Sequence, residues 1–458
     1  MNPSRIVRSA ACTIDGNGTK VSLKSGYSNA KEALELTKVR FTERNATSLK
    51  LHHEAVKSLP GGNTRSLLHT APFPVFLKKG EEYQVYSEDG HTYTDFVGEM
   101  TAGLFGHSQP LLTQTLISTI QDVGMNLGGT TEFEARYAAL LCARFSLDLI
   151  RFTNSGTEAN LHAINGAKRF TGKRKVVVFT GGYHGGCFSF PEDHPAENCV
   201  DLDEWIIAEY NDIEDTKRKI EDSDDVAAVL VEGMQGAGPC IVGTHEFLHQ
   251  IQESAKKVGA VFILDEVMTS RLSEGGLQKL EGLQPDITTM GKYLGGGITF
   301  GAFGGKKEIM QIYDPRVGGT LAHSGTFNNN TLGMVAGYVG MSQIYTPKVA
   351  REFNATGDRL RAELEKISQG TKMTVTGRGT IIGIHFLKDG KKDLKSYRER
   401  KDEFDLKDLF WFEMMEDGFW ISKRGSIALI LGTPWEELER FVGCVNQFLK
   451  RHAALVKI

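Results

Sequence analysis

The run Val226-Ala227-Ala228-Val229-Leu230-Val231 is apolar at every position and of strand length. Ala260-Val261-Phe262-Ile263-Leu264 repeats the pattern after a stretch with helical spacing, His245 to Val258. A strand with one face in water alternates polar and apolar residues. A strand that is apolar throughout must be covered on both faces, the condition of a parallel sheet sandwiched by helices. Working outward, Leu149 to Thr153 reads as a strand, Gly156 to Phe170 as a helix, Lys175 to Phe179 as a strand and Ile213 to Glu221 as a short helix. Downstream, Ile287 to Met290 reads as the end of a further strand. The fold class is α/β, and in such sheets ligands sit beyond the carboxyl ends of the strands.

The 458 residues are enough for two or more domains and a large core, and 40% hydrophobic with 24% charged residues is ordinary for a globular protein. A net charge of −4 offers no basic field to nucleic acid, and no apolar run reaches the length of a membrane helix. Six cysteines are scattered without a CxxC pair, which speaks against a disulfide scaffold or a metal site and for a reducing compartment. Met1 to Lys20 lacks the apolar segment of a secretory signal, so a cytoplasmic location is expected. Arg5 and Arg8, ahead of the first acid Asp15, leave organelle targeting as the alternative.

Residues 1–30 form a polar, glycine-dotted tail expected to be disordered. Residues 31–108 form an N-terminal segment: helical spacing up to Lys57, a stop at Pro60-Gly61-Gly62, then a small meander of Val75 to Lys78, Tyr83 to Tyr86 and Thr92 to Phe96. Residues 109–346 hold the large domain, which opens with helices Leu111 to Gly124 and Glu132 to Phe145 and closes with Leu332 to Tyr345. Residues 347–458 mix helices with short strands and read as a small α+β domain. Within it Gly390 to Arg400, charged and polar, is expected to be an exposed loop.

Several strand ends carry groups with chemical potential, each beside a plainer explanation. Asn154-Ser155-Gly156-Thr157-Glu158 lies between a strand and a helix, where hydroxyls and free N–H groups make an anion site fit for a phosphate, or an ordinary N-cap. Gly181-Gly182-Tyr183-His184-Gly185-Gly186 sets an aromatic pair among glycines, suited to a flat ligand or to a glycine-rich turn. Glu232 ends the first apolar strand, able to reach a ligand's hydroxyl or a basic group, or simply part of a polar loop. Asp265-Glu266-Val267 ends the second. An acid there is costly unless paired, and an aspartate facing a pyridinium nitrogen strengthens an electron sink, or else it is a helix N-cap; Glu266 reads as a solvated or bridging acid. Thr288-Thr289-Met290-Gly291-Lys292-Tyr293-Leu294-Gly295-Gly296-Gly297 delivers one lysine into a run of glycines. In a tight, partly dry pocket such a lysine loses its proton and becomes the nucleophilic amine that a Schiff base with pyridoxal phosphate requires; the plainer reading is a surface lysine beside a flexible loop. His323 to Asn330 offers hydroxyls and amides to a second anionic edge, or forms a polar loop with a cap.

In this order, from anion cup to aromatic platform, strand-end acid and lysine, the chain resembles the fold-type I, class III aminotransferases, in the branch of glutamate-1-semialdehyde aminomutase, from about Leu51 to the C-terminus. Leu59-Pro60-Gly61-Gly62, Asn154 to Ala159, Tyr183-His184-Gly185, Asp265 to Thr269, Gly291-Lys292 and Gly301 to Gly305 carry the resemblance. It implies a large domain with a mostly parallel seven-stranded sheet covered by helices, a smaller α+β domain from the N- and C-terminal segments, pyridoxal 5'-phosphate as cofactor, and no metal. It further implies that Lys292 forms the Schiff base and moves the substrate proton, and that Asp265 pairs with the pyridine nitrogen. Tyr183 and Val267 would flank the ring, with His184 beside them. Ser155, Gly156 and Thr157 would hold the phosphate, and Thr326 would hold it from the partner subunit of a homodimer.

Gly62-Asn63-Thr64-Arg65 with Pro72-Phe73-Pro74, and Ala322 to Asn330, are similar to the β-amino acid aminotransferases of the β-phenylalanine type. In that subgroup the loop arginine binds the substrate carboxylate; Arg65 matches it, and a guanidinium grips a carboxylate bidentately. Arg424 matches a second arginine that swings toward or away from the pocket, or else an ordinary surface turn. Glu232 is the remaining substrate-binding candidate, although Glu232-Gly233 stands where many members have Glu-Pro, and Asn330-Thr331 where they have Asn-Pro. The expected activity is ping-pong amino transfer from a β-amino acid or related amine-bearing carboxylic acid to a 2-oxo acid. The alternatives are intramolecular amine transfer of the aminomutase kind, tailoring of a secondary metabolite, and a non-catalytic cofactor-binding protein on this fold.

Overall fold

The computed structural model of the protein describes residues 29–238 and 240–458. Its large sheet has seven strands in the order Leu149–Thr153, Gly301–Gly305, Ile287–Gly291, Val261–Asp265, Val226–Glu232, Lys175–Phe179 and Trp205–Ala208. The strands are parallel except Gly301–Gly305, which is antiparallel to both of its neighbours. Side-chain alternation divides the apolar residues between two cores. Val177, Phe179, Val229, Val231, Phe262 and Leu264 face one, and Val176, Val178, Ala228, Leu230, Val261 and Ile263 the other. Burying each large aliphatic side chain contributes about 1.5–3 kcal/mol, so the double coverage read from the sequence is the main source of the sheet's stability.

Two strands of this sheet escaped the sequence reading. Trp205–Ala208 is a short edge strand. Gly301–Gly305 is nearly all small residues, the opposite of strand propensity. Close approach explains it: a Cβ at Gly301 would lie 2.1 Å from the Ser155 carbonyl oxygen, and one at Gly305 2.0 Å from that of Asp286.

The N- and C-terminal segments share one core. Helix Ala30–Arg44 begins at Asn29, whose side chain accepts from the Glu32 N–H at 2.9 Å. This helix packs on Phe404–Glu416, with the Phe41 and Phe412 rings 5.1 Å apart and Arg40 gripping Glu416 at 2.9 and 3.1 Å. The expectation of a disordered tail lies outside the described residues, apart from Asn29 and Ala30, which belong to this helix. The meander Leu77–Glu81, Gln84–Ser87 and Thr92–Asp95 is antiparallel as read, but gains a fourth strand, Phe419–Trp420, in parallel with Thr92–Asp95. Met373–Arg378, Ile381–Phe386 and Ser426–Ala428 form a separate antiparallel sheet. The segment 390–400 departs from a simple exposed loop, because its two large non-charged residues face inward. Leu394 is buried in a core of the large sheet, and Tyr397 covers Gly181 and Gly238. Among the described residues no helix is long and apolar enough to cross a membrane.

Candidate active site

Parallel register brings the strand-end chemistry to one level: Asp265 lies opposite Glu232 on one side and Thr289 on the other. Lys292 follows just past the end of the Ile287–Gly291 strand. Above these ends is a cavity of about 1180 Å³ whose walls include Lys292, Asp265, Tyr183, Val267, Arg65 and Arg424.

Asp265 is 4% exposed and fully engaged. Its Oδ2 accepts from Asn160 Nδ2 and from His184 Nδ1, each at 2.8 Å, and its Oδ1 from the Val267 N–H at 3.0 Å. A buried carboxylate held this way cannot turn away from the cavity. His184 thus stands one step behind the expected position beside a ring, as a buried partner of Asp265. Asn160, which the sequence reading missed, also donates to the His184 carbonyl at 2.9 Å and accepts from Thr289 Oγ1 at 2.7 Å. The available signal was its place on the sheet-facing side of helix Gly156–Thr171 with Ala163 and Ala167, where a buried amide must find partners.

The two neighbouring acids are braces. Glu232 was expected to reach a ligand, but its Oε2 accepts from the Tyr183 N–H and its Oε1 from the Gly236 N–H, both at 2.9 Å. Burial pushes its carboxyl up to about 7, with His184 opposing the shift and Asp265 adding to it. Glu266 is fully buried, not solvated, because the chain folds back over it. It accepts from the Leu277 N–H at 3.1 Å, the Gln278 N–H at 2.7 Å and Thr269 Oγ1 at 2.7 Å. Burial pushes it, too, up to about 7.

Lys292 has φ of +58°, a left-handed conformation that turns the chain sharply after the strand. Burial pulls its amine down to about 8 against the opposing pull of Asp265 and Glu232, and Nζ donates to the Met100 carbonyl oxygen. The expected loss of the proton is therefore brought down to about pH 8, from the 10.5 of an ordinary lysine.

At the other end, Ser155 caps helix Gly156–Thr171 by accepting from the Glu158 N–H at 3.2 Å, so the capping reading holds. The same helix start lines the cavity, and its first-turn N–H groups have no carbonyl partners within the helix. Gly156 is required there, since a Cβ would lie 2.8 Å from both methyls of Val267. Thr157 Oγ1 accepts from the Gly186 N–H at 3.4 Å. The Tyr183 side of the cavity is open, the residue being 47% exposed.

Toward solvent, Arg65 is paired with Glu99. Arg424 is exposed, its N–H donating to Ser422 Oγ at 3.3 Å. Thr326 is exposed and absent from the walls of this cavity. The donor set fits pyridoxal phosphate: a helix start for the phosphate, an aromatic and a β-branched side chain for the ring, a fixed buried carboxylate for its nitrogen and a lysine of lowered basicity.

Comparison with known proteins agrees. The family model of the class III aminotransferases matches residues 68–435. An uncharacterised aminotransferase of Schizosaccharomyces pombe is 47% identical over 439 residues, 95% of this chain and all of that protein. The β-phenylalanine transaminase of Variovorax paradoxus is 42% identical over 424 residues, 91% of this chain and 96% of that one. A crystal structure of a β-phenylalanine aminotransferase from the same organism superposes with a TM-score of 0.91, at 41% identity, covering 93% of this chain and 99% of the other. A glutamate-1-semialdehyde 2,1-aminomutase of Alkaliphilus metalliredigens is 32% identical over 370 residues, 76% of this chain and 83% of its own. A transaminase solved with PLP bound superposes with a TM-score of 0.81 at 26% identity, over 90% of this chain and 98% of its own. On this agreement of strand-end chemistry, family match and overall shape, the chain belongs to the class III aminotransferases and works with pyridoxal phosphate.

Proposed function

We propose that this transaminase takes the amino group of a β-amino acid, with Arg65 holding the carboxylate, and passes it to a 2-oxo acid in a ping-pong cycle. The carrying observation is the guanidinium of Arg65 at the open side of the cavity that also holds Lys292, on a loop like that of the β-amino acid aminotransferases. The 42% identity to a β-phenylalanine transaminase supports the same choice.

When bound, pyridoxal phosphate supplies an aldehyde that receives the amino group and a ring that takes up the electrons released as a C–H bond breaks. The chain does the rest. Ser155, Gly156 and Thr157 present N–H groups and hydroxyls to the phosphate. Asp265, fixed by Asn160 and His184, presents its carboxylate to the ring nitrogen. Tyr183 and Val267 offer the two faces against which the ring lies. Lys292 Nζ, its basicity lowered to about 8, removes the proton from the amine-bearing carbon and returns one on the far side of the transfer. Glu232 keeps the Tyr183 backbone in place. Arg65, and Arg424 on the second arm of the opening, position carboxylates.

Thr326, exposed on its own chain, is proposed to reach the phosphate of a second copy, so that a homodimer completes each site. Cys142, Cys187, Cys199, Cys240 and Cys444 are unpaired, which supports a reducing, cytoplasmic setting.

The test is the absorbance of the cofactor-loaded enzyme with 3-amino-3-phenylpropanoate and no 2-oxo acid. Bleaching of the yellow band is expected, with recovery on adding a 2-oxo acid. A band that stays unchanged removes this substrate class. Turnover of an amino-aldehyde without any added 2-oxo acid would favour the intramolecular route of the aminomutases.

A further inference from the structure

One turn of the chain holds three basic side chains, two of which, Arg65 and Lys292, line the cavity. Gly98, Glu99, Met100 and Thr101 have φ of +49°, +47°, +53° and +79°. L side chains enter this left-handed region rarely, and a β-branched threonine least readily. Each of the three non-glycine residues meets a different cation. The Glu99 carboxylate pairs with Arg65, the Met100 carbonyl accepts from Lys292, and the Thr101 carbonyl faces the buried Arg271 guanidinium at 3.5 Å. The turn is fixed from outside. Asp95 Oδ1 accepts from the Val97 and Gly98 N–H groups at 2.8 and 3.0 Å, and a Cβ at Gly98 would lie 2.5 Å from the Ala428 carbonyl oxygen. A backbone this constrained persists only where its surroundings hold it, and such conformations gather at sites of function.

Glu99 is the residue the proposed reaction does not use. It lines the cavity beside Arg65 and carries an acid into the place where a substrate carboxylate must bind. We propose that Glu99 is the resting counter-ion of Arg65, which every incoming carboxylate must displace. The proposal rests on the reading of Arg65 as the carboxylate anchor. A bare carboxylate breaks this ion pair to form one like it, and so gains little. A β-amino acid meets the same threshold and gains in addition the contacts of its amine near Lys292, so Glu99 lowers the occupancy of the site by simple anions while leaving their ranking against the substrate unchanged. Arg65 and Glu99 are 44% and 57% exposed, and exposed pairs are weak, so the threshold corresponds to about a two- to fivefold change in affinity.

The test measures binding of 3-phenylpropanoate, the carboxylate without the amine, to the cofactor-loaded enzyme by calorimetry, beside KM and kcat for 3-amino-3-phenylpropanoate. The variants are Glu99→Gln, Glu99→Asn, Arg65→Gln and the double variant Glu99→Gln/Arg65→Gln. Asparagine tolerates left-handed backbone, so Glu99→Asn guards against an effect of a disturbed turn. Both Glu99 variants are expected to bind 3-phenylpropanoate about two- to fivefold more tightly, with the change in turnover falling on KM more than on kcat. In the Arg65→Gln background, Glu99→Gln is expected to make no difference. If neither Glu99 variant tightens binding while Arg65→Gln weakens it, Glu99 is no counter-ion and the proposal falls with the Arg65 reading intact. If Arg65→Gln leaves binding unchanged, the carboxylate anchor itself is wrong, and the proposal falls with it.

Discussion

At the strand ends, Asp265 is bound by a buried histidine, a buried asparagine and a backbone amide, while at the opening Arg65 shares a half-exposed pair with Glu99 and Arg424 is an exposed wall of the cavity. The first region places groups to within hydrogen-bond tolerance at the cost of desolvating them. The second leaves its cations hydrated and free to change partners. Chemistry common to a family needs the former, and selection among substrates is served by the latter.

The comparison breaks most visibly at Lys292. Lys292→Ala is expected to lower turnover by more than about 10³-fold, since the proton carrier is lost; single-turnover bleaching with a β-amino acid measures it. Next comes Asp265→Asn, which sets an amide against the donors of Asn160 and His184. A loss of about 10²–10³-fold in the same half-reaction is expected. Retention of near-native rates would mean that the buried carboxylate is only structural. Asn160→Ala is smaller. Asp265 keeps His184, but Thr289 Oγ1 and one Asp265 lone pair lose their partner. A loss of about tenfold in rate, with about 1–3 kcal/mol of stability by denaturant titration, is expected.

The two regions were also unequally legible in the sequence. The strand ends could be read because a strand buried on both faces must stop where polar residues begin, and Asp265, Glu232 and Lys292 stand at those stops. What periodicity does not carry is the identity of partners distant in the chain. Asn160 reaches Asp265 across 105 residues, and Arg65 finds Glu99 across 34. Glu266 looked like a surface acid because the amides that satisfy it come from the later helix Gly276–Glu281. The Gly301–Gly305 strand was hidden because contact with neighbouring carbonyls, not β propensity, dictates its glycines. The left-handed turn at Glu99 left no mark at all, since three of its four residues are types that normally avoid that conformation.

A last test, read in stability and not in rate, asks whether the strand-end region is as dry as its hydrogen bonds imply. The Lys292 amine is pulled from 10.5 to about 8 in the folded protein, chiefly by burial. Between these two values the unfolded chain holds a proton that the folded chain lacks. Stability therefore rises with pH across that window, and the full penalty of charging Lys292 is present below about 8. Lys292→Met removes the titration while keeping most of the side-chain volume. Glu232 and Glu266 titrate near 7, below the window, and groups common to both proteins cancel in the difference. In cofactor-free protein, the stability of the variant relative to wild type, from denaturant titrations, is expected to increase steadily as pH falls from 10.5 to 8. A difference that stays flat across that interval would mean that water reaches the amine, and the contrast between a dry interior and a wet opening would have to be withdrawn.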